Sequence, residues 1–203
     1  ALGAALARHA GSGTFALQLN RAEITVDGMS SETEWSAAFQ SPPTQTRALP
    51  AAALDEILTL FGLSRGDLDA RIPPVIAHAG MDHPVLALRE RARLAAISYD
   101  FGKGQELAQR ERFCTFALVH AETPQLFHAR NPFPFGGVYE DPATGAAAAA
   151  LAGYLRELAW TAEGPIVIRQ GEDMGVPCCL QVDLDGPVGA PVKVSGSVRS
   201  IEA

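Results

Sequence analysis

Asp141, Thr144, Gly145 and Ala146 are the residues whose types and spacing most readily suggest chemistry in this chain. They belong to the run Glu140-Asp141-Pro142-Ala143-Thr144-Gly145-Ala146, which opens an alanine-rich stretch. Asp141 followed by Pro142 signals a helix start, the carboxylate capping free backbone N–H groups and the proline fitting the first turn. The same residues support a second reading. The small side chains of Thr144, Gly145 and Ala146 leave first-turn amides open to a ligand carboxylate in a partly positive field. An acid beside such an anion seat is suited to moving a proton next to that carboxylate. On the residues alone, cap and site both stand.

The element that must position them is a helix from Pro142 to about Leu158. Gly145, the alanine run and Gly153 leave it almost no girth, and a helix apolar all round is normally buried. A shorter copy of its start opens the chain. Ala1-Leu2-Gly3-Ala4-Ala5-Leu6-Ala7 lies over residues 143–149 with identity at Ala1, Gly3, Ala4, Ala5 and Ala7. A repeat of this kind implies two related halves. The first copy has no cap and no strands before it, so the chain is expected to start mid-protein, with about 70 residues upstream if the halves are symmetric.

Around these helices the pattern is one of short strands. Residues 1–10 read as the tail of a helix ended by Gly11 and Gly13. Strands are expected at Thr14–Leu19, Glu23–Val26 and Trp35–Gln40, with Asn20 and Asp27-Gly28 as turns. A covering helix spans Ala51–Phe61, with Leu54, Ile57, Leu58 and Phe61 on one face and Gly62 as its stop. After Pro73-Pro74 come strands at Val75–His78, Val85–Leu88, Leu94–Tyr99, Phe113–His120 and Leu126–Arg130, then Ile166–Arg169, Leu180–Val182 and Val192–Val198 beyond the second helix. The fold class is α+β. Residues 1–72 form an incomplete first half and residues 73–190 a second half carrying the 140–146 motif, with 191–203 returning to the first.

Composition narrows the function classes. At 203 residues and 47% hydrophobic content the chain can bury a large core, and its apolar runs are too short for a membrane span. A net charge of −7 without basic clusters argues against nucleic acid or anionic lipid as partner. No signal segment opens the chain, and a cytoplasmic protein is expected. Cys114, Cys178 and Cys179 are an odd set and no disulfide framework. His9, His78, His83, His120 and His128 lack metal-ligand spacing, so no metal is expected.

Residues 140–146 and the helix ending Ala152-Gly153-Tyr154-Leu155 resemble the EDPATGSA signature of the PhzF-like family, named for a phenazine-biosynthesis isomerase. Trp35 to Pro42 resembles the family's tryptophan strand and proline exit, and Arg130-Asn131-Pro132-Phe133 its approach to the signature. Gln170-Gly171, Met174-Gly175 and Pro177 resemble its QGxxMGRPS segment. The resemblance implies the diaminopimelate-epimerase-like fold: two pseudo-symmetric halves, each a highly curved, mostly antiparallel sheet around a central helix, with the active site between the helix N-termini.

It further implies cofactor-free isomerisation, in which a glutamate shuttles a proton with help from a histidine and from the aspartate matched by Asp141. That glutamate and the family's Gly-His pair precede the stretch matched by Ala1-Leu2-Gly3. The signature serine is Ala146 here, and the later Arg and Ser are Val176 and Cys178. Related racemases place a thiol at each helix start; no cysteine stands in residues 141–146, which argues against two-thiol chemistry. The expectation is thus a homodimeric isomerase or epimerase acting on a small carboxylate-bearing metabolite without metal or organic cofactor. A catalytically silent binding or scaffold protein of the same fold is the alternative.

Overall fold

The computed structural model describes residues 2–18, 23–31, 34–160 and 164–199. In chain order the helices are α1 (Leu2–Ala10), α2 (Ala51–Leu60), α3 (Arg91–Ala95), α4 (Phe101–Glu111) and α5 (Gly145–Glu157). The strands are β1 (Gly13–Gln18), β2 (Glu23–Ser30), β3 (Trp35–Gln40), β4 (Gln45–Ala48), β5 (Val75–His78) and β6 (Asp82–Ala87), followed by β7 (Ala117–Ala121), β8 (Leu126–Phe133), β9 (Val138–Asp141), β10 (Ile166–Gln170), β11 (Cys178–Val182) and β12 (Lys193–Val198). They form one mixed sheet in the order β1-β2-β3-β12-β11-β10-β8-β7-β6-β5-β4, with β9 added to β8. Every pairing is antiparallel except β6 with β7 and β8 with β10. The α+β fold expected from the sequence is the fold observed.

Chain connectivity forces the sheet to curl. Strands β3 and β4 are joined by residues 41–44 alone, yet nine strands run from one to the other along the sheet. Laid flat, eight spacings of about 4.8 Å would separate them by about 38 Å. Five residue steps reach at most about 18 Å. The sheet therefore wraps on itself, and the linker is tied to the chain near β12: Ser41 N–H donates to the Val192 carbonyl at 2.9 Å and Thr44 N–H to that of Gly189 at 3.0 Å.

Helix α5 fills the enclosed space. Its residues Ala147 to Leu155 are all buried. They meet the inward members of the strands, among them Val75, Ala77, Val85, Ala87, Ala117, Val119, Phe127, Ile168 and Val194. Small helix residues let the strands come close: a Cβ at Gly153 would lie 2.4 Å from the Thr44 Cβ. The alternate residues Ile76, Leu86, Leu88 and Leu118 face outward under α2 and α4, with Leu54, Ile57, Leu58, Phe61, Leu107 and Phe113. On the other arm α1 packs on β2 and β3. Strand β12 pairs with both β11 and β3, so the arms share one sheet.

Some elements differ from the sequence reading. Residues 94–99 are not a strand; Leu94 lies in α3, and the carbonyls of Leu94, Ala95 and Ile97 turn to the Arg130 guanidinium instead of a neighbouring strand. Helix α4 was not expected, because its polar sequence with two glycines buries only Gly104, Leu107 and Ala108; Asp100 caps it by accepting from Lys103 N–H at 2.9 Å. Asp27-Gly28 is not a turn but the middle of β2. Gly28 is needed there because a Cβ would sit 2.0 Å from the Gly3 carbonyl oxygen of α1. Strands β4 and β9 were also unforeseen, and Leu19 and Asn20 lie outside the described residues.

Candidate active site

The 140–146 motif is built by β8, β9 and the start of α5. Strand β9 pairs with β8 so that Asp141 faces Asn131 and Glu140 faces Pro132. The pairing carries the extended backbone through Asp141, which places the helix start at Gly145, after Thr144, and leaves Pro142 outside it. Asp141 is therefore not the N-cap that the Asp-Pro pair suggested. Its half-buried carboxylate takes the Thr144 hydroxyl on Oδ2 at 2.7 Å and only a long contact, 3.5 Å, from the Ala143 N–H on Oδ1.

Gln170, at the end of β10, holds the segment in place. Its Nε2 donates to the Asp141 carbonyl at 2.6 Å and to Thr144 Oγ1 at 2.9 Å, while its Oε1 accepts from Thr144 N–H at 3.1 Å. Gln170 is 1% exposed, so these bonds form away from competing water. Among the described residues the amides of Gly145 and Ala146 have no hydrogen-bond partner, as expected of a first turn. Of the expected seat, the Thr144 amide is thus engaged by Gln170, and those of Gly145 and Ala146 are free. Gly171, at φ +79°, closes over the segment: a Cβ there would lie 2.2 Å from the Val176 oxygen and 3.1 Å from the Pro142 oxygen.

Both helix starts lean on one strand. A Cβ on Gly145 would meet the Phe39 ring at 2.7 Å, and one on Gly3 would meet Ala37 Cβ at 3.1 Å. Ala37 and Phe39 share a face of β3, two residues or about 7 Å apart. The N-terminal ends of α1 and α5 therefore converge on the same short stretch of backbone.

Glu140, beside the candidate acid, has a structural part. It is gripped by the Arg130 guanidinium with contacts of 3.1, 3.2 and 2.6 Å, and the two side chains are 3% and 8% exposed. Arg130 also donates to the carbonyls of Leu94, Ala95 and Ile97, which ties β8, β9 and the end of α3 together. Near Asp141, burial and then the aspartate's own charge push the Cys114 thiol up, away from the thiolate a nucleophile needs. Cys178 is half-buried and Cys179 exposed, both on β11. No thiol stands at a helix start among the described residues.

A buried polar chain approaches from the inner face of the sheet. His83 Nδ1 lies 2.8 Å from Thr115 Oγ1, whose hydroxyl donates to Asn131 Oδ1 at 3.0 Å. His83 is fully buried, and desolvation lowers its imidazole to about 4. A small cavity beside the first turns of α5 is lined by Asn131, Gln170, Ala147, Ala148 and Leu151. No group of His, Cys, Asp and Glu among the described residues is placed to hold a metal. No helix among the described residues is long and apolar enough to cross a membrane. Sequence reasoning missed the roles of Gln170, Asn131 and His83. Gln170 and Asn131 stand in segments that resemble the family without a role of their own there, and His83 has no local signal.

The family model described as phenazine biosynthesis-like protein, PhzC-PhzF, matches residues 1–202. An uncharacterized isomerase from Mesorhizobium japonicum is 29% identical over 194 residues, covering 89% of this chain and 63% of that protein. The chain thus spans less than two thirds of that relative's length. Solved structures share its fold, two of them as follows. One, described as a predicted epimerase from Pseudomonas aeruginosa, superposes with a TM-score of 0.78 at 21% identity, covering 98% of this chain and 72% of that one. The other is a phenazine biosynthesis protein of the PhzF family from Bacillus anthracis, with a TM-score of 0.75 at 14% identity and coverage of 96% and 70%.

Proposed function

The chain belongs to the phenazine biosynthesis-like PhzC-PhzF family, and from that premise we propose that it carries the proton-transfer half-site of an isomerase or epimerase. Its substrate is a small carboxylate-bearing metabolite, and the reaction relocates a proton by general acid-base chemistry without metal or organic cofactor. The observation that carries this reading is the pairing of a half-buried Asp141 carboxylate with the unpartnered amides of Gly145 and Ala146 at the adjoining helix start. The relative described as an isomerase and the fold neighbour described as an epimerase agree with it.

Each residue then has a task. The Gly145 and Ala146 amides hold the substrate carboxylate where the helix field favours negative charge. The Thr144 hydroxyl, fixed by Gln170, donates to Asp141 Oδ2 and so leaves Oδ1 as the oxygen that takes or returns the proton. A carbon beside the seated carboxylate is the proton's partner. A second acid or base on the opposite side of the substrate completes a relocation, and the N-terminal end of α1, held against the same face of β3, marks that side.

Deuterium incorporation from D2O into a panel of small cyclic and acyclic carboxylates, with the intact gene product, tests the reading. Asp141→Asn keeps an acceptor for Thr144 and should leave the fold intact by circular dichroism while slowing exchange by about 10²–10⁴-fold. Unchanged exchange in that variant would leave Asp141 a purely structural residue. Carboxylate binding without exchange in the native protein would favour the catalytically silent alternative.

A further inference from the structure

His128 is a buried imidazole with a carboxylate at each of its ring nitrogens. Its Nε2 lies 2.6 Å from Glu122 Oε2 and its Nδ1 3.0 Å from Glu172 Oε2. An ionised carboxylate only accepts, so both contacts are hydrogen bonds when the ring carries both N–H groups, as imidazolium. A neutral ring serves one carboxylate and turns a lone pair on the other. His128 stands on the outward face of β8, since its neighbours Phe127 and Ala129 belong to the core around α5. In register beside it are His120 on β7, with ring centres 6.3 Å apart, and Arg169 on β10, which also lies within electrostatic reach of Glu122. His120 Nδ1 is occupied by the Leu88 carbonyl at 3.0 Å, and Asp69, paired with Arg71 at 2.6 Å, acts on His120 from beyond. From α3, Arg91 reaches Asp173 at 2.9 Å and Glu172 at 3.5 Å.

Glu172 and Asp173 open the single helical turn Glu172–Met174, which follows directly on Gly171, the residue that closes over Pro142. Within the turn, Met174 and Val176 N–H donate to the Gly171 carbonyl at 3.2 and 2.9 Å, and Gly175 N–H donates to that of Glu172 at 3.1 Å. Two side-chain tethers, from His128 and from Arg91, fasten this turn to the outer face of the sheet. The guanidinium keeps its charge at every pH at which the protein is folded, whereas an imidazole can lose its own near neutrality. The shorter contact, with Glu122, is the one a neutral ring keeps, so Glu172 is the carboxylate let go.

We propose that His128 is a pH-sensitive latch on residues 171–176: its imidazolium pins Glu172, and with it the turn that closes over Pro142, and loss of the proton loosens that turn. The latch concerns the cover over the 141–144 segment and stands whether or not Asp141 transfers protons. The sign follows from the charges. Above the range in which the carboxylates themselves protonate, the turn is held tightest at low pH and loosens as pH rises, and Arg91 keeps it from leaving altogether.

The test is amide hydrogen exchange of Met174, Gly175 and Val176 in the intact gene product between about pH 5.5 and 8.5. Exchange is expressed as protection factors, which removes its intrinsic dependence on pH. Protection should fall by about fivefold across that range in the native protein. His128→Gln, neutral throughout, should give a flat profile. Glu172→Gln, at the partly exposed partner, should flatten it as well while leaving the buried ring in place, and it decides the matter if His128→Gln does not fold. His120→Gln should keep the native slope; a flat profile there would assign the titration to His120 and overturn the proposal. A flat profile in the native protein, or a native slope that survives in Glu172→Gln, would overturn it too.

Discussion

Removing the carboxylate of Glu140 separates a structural role from a catalytic one inside the 140–146 motif. Glu140→Ala leaves the Arg130 guanidinium enclosed at 8% exposure, still bonded to the Leu94, Ala95 and Ile97 carbonyls but without its counter-charge. Breaking such a pair from one side costs about 3–5 kcal/mol, a large share of the 5–15 kcal/mol by which a typical domain is stable. With a urea m-value of about 2 kcal/mol/M, the unfolding midpoint should fall by roughly 2 M. Replacing both partners, as in Arg130→Met with Glu140→Leu, removes the orphaned charge but also the donor to the Leu94, Ala95 and Ile97 carbonyls, and should recover only part of the loss. Urea titrations followed by tryptophan fluorescence, Trp35 and Trp160 being the reporters, give the midpoints. A Glu140→Ala midpoint within about 0.5 M of the parent, or a double variant no better than the single one, would refute the structural assignment. If Glu140→Ala does not fold at all, the double variant alone decides the matter.

The remaining expectations concern pH, the closing glycine and the helix start. His83 titrates at about 4 in the fold against 6.5 unfolded, so its neutral form is the native one: its contribution is complete above pH 6.5 and is lost as pH falls from 6.5 toward 4. The full effect is about 3 kcal/mol, and urea midpoints at pH 7, 5.5 and 4.5 should converge between parent and His83→Gln as the pH drops; parallel profiles would sink the argument. Gly171→Ala places a methyl against the Val176 and Pro142 oxygens at positive φ and should cost about 2 kcal/mol or more by thermal melting. Ala146→Ser restores the hydroxyl of the family motif at a half-exposed position and should change stability by less than about 1 kcal/mol. A large loss would show that the helix start is packed shut.

What the sequence made legible was local. Helix α5 could be read because its small residues are contiguous, although Asp141-Pro142 suggested a start three residues before Gly145; β3 and β5 could be read because each is a short, mostly apolar run beside a proline pair, Pro42-Pro43 and Pro73-Pro74. Misreadings arose where a partner from elsewhere decides the backbone. Residues 94–99 alternate like a strand, but Arg130 claims their carbonyls; Asp27-Gly28 looks like a turn, but Gly28 is small because α1 crosses it. Helix α4 hid behind a polar sequence whose few apolar residues gain their value only from the face they cover. Within the site, Gln170 acts from 26 residues away and His83 meets Thr115 across a separation of 32. Such pairs exist only once strand register is set, and no spacing along the chain announces them.

The four-residue link between β3 and β4 also bears on the order in which the molecule can assemble. Closing the curled sheet around α5 depends on contacts such as Val192 with Ser41, 151 residues apart, and Thr44 with Ala190, 146 apart. Loop closure over such distances carries its entropic cost before the contacts it permits can repay it. The alanine helix can form early on its own propensity, yet it has no complete sheath until β12 arrives beside β3. Assembly is thus gated by β12, and a nascent chain leaves the side of the alanine helix that β12 covers open until residues 193–198 have been synthesised and docked.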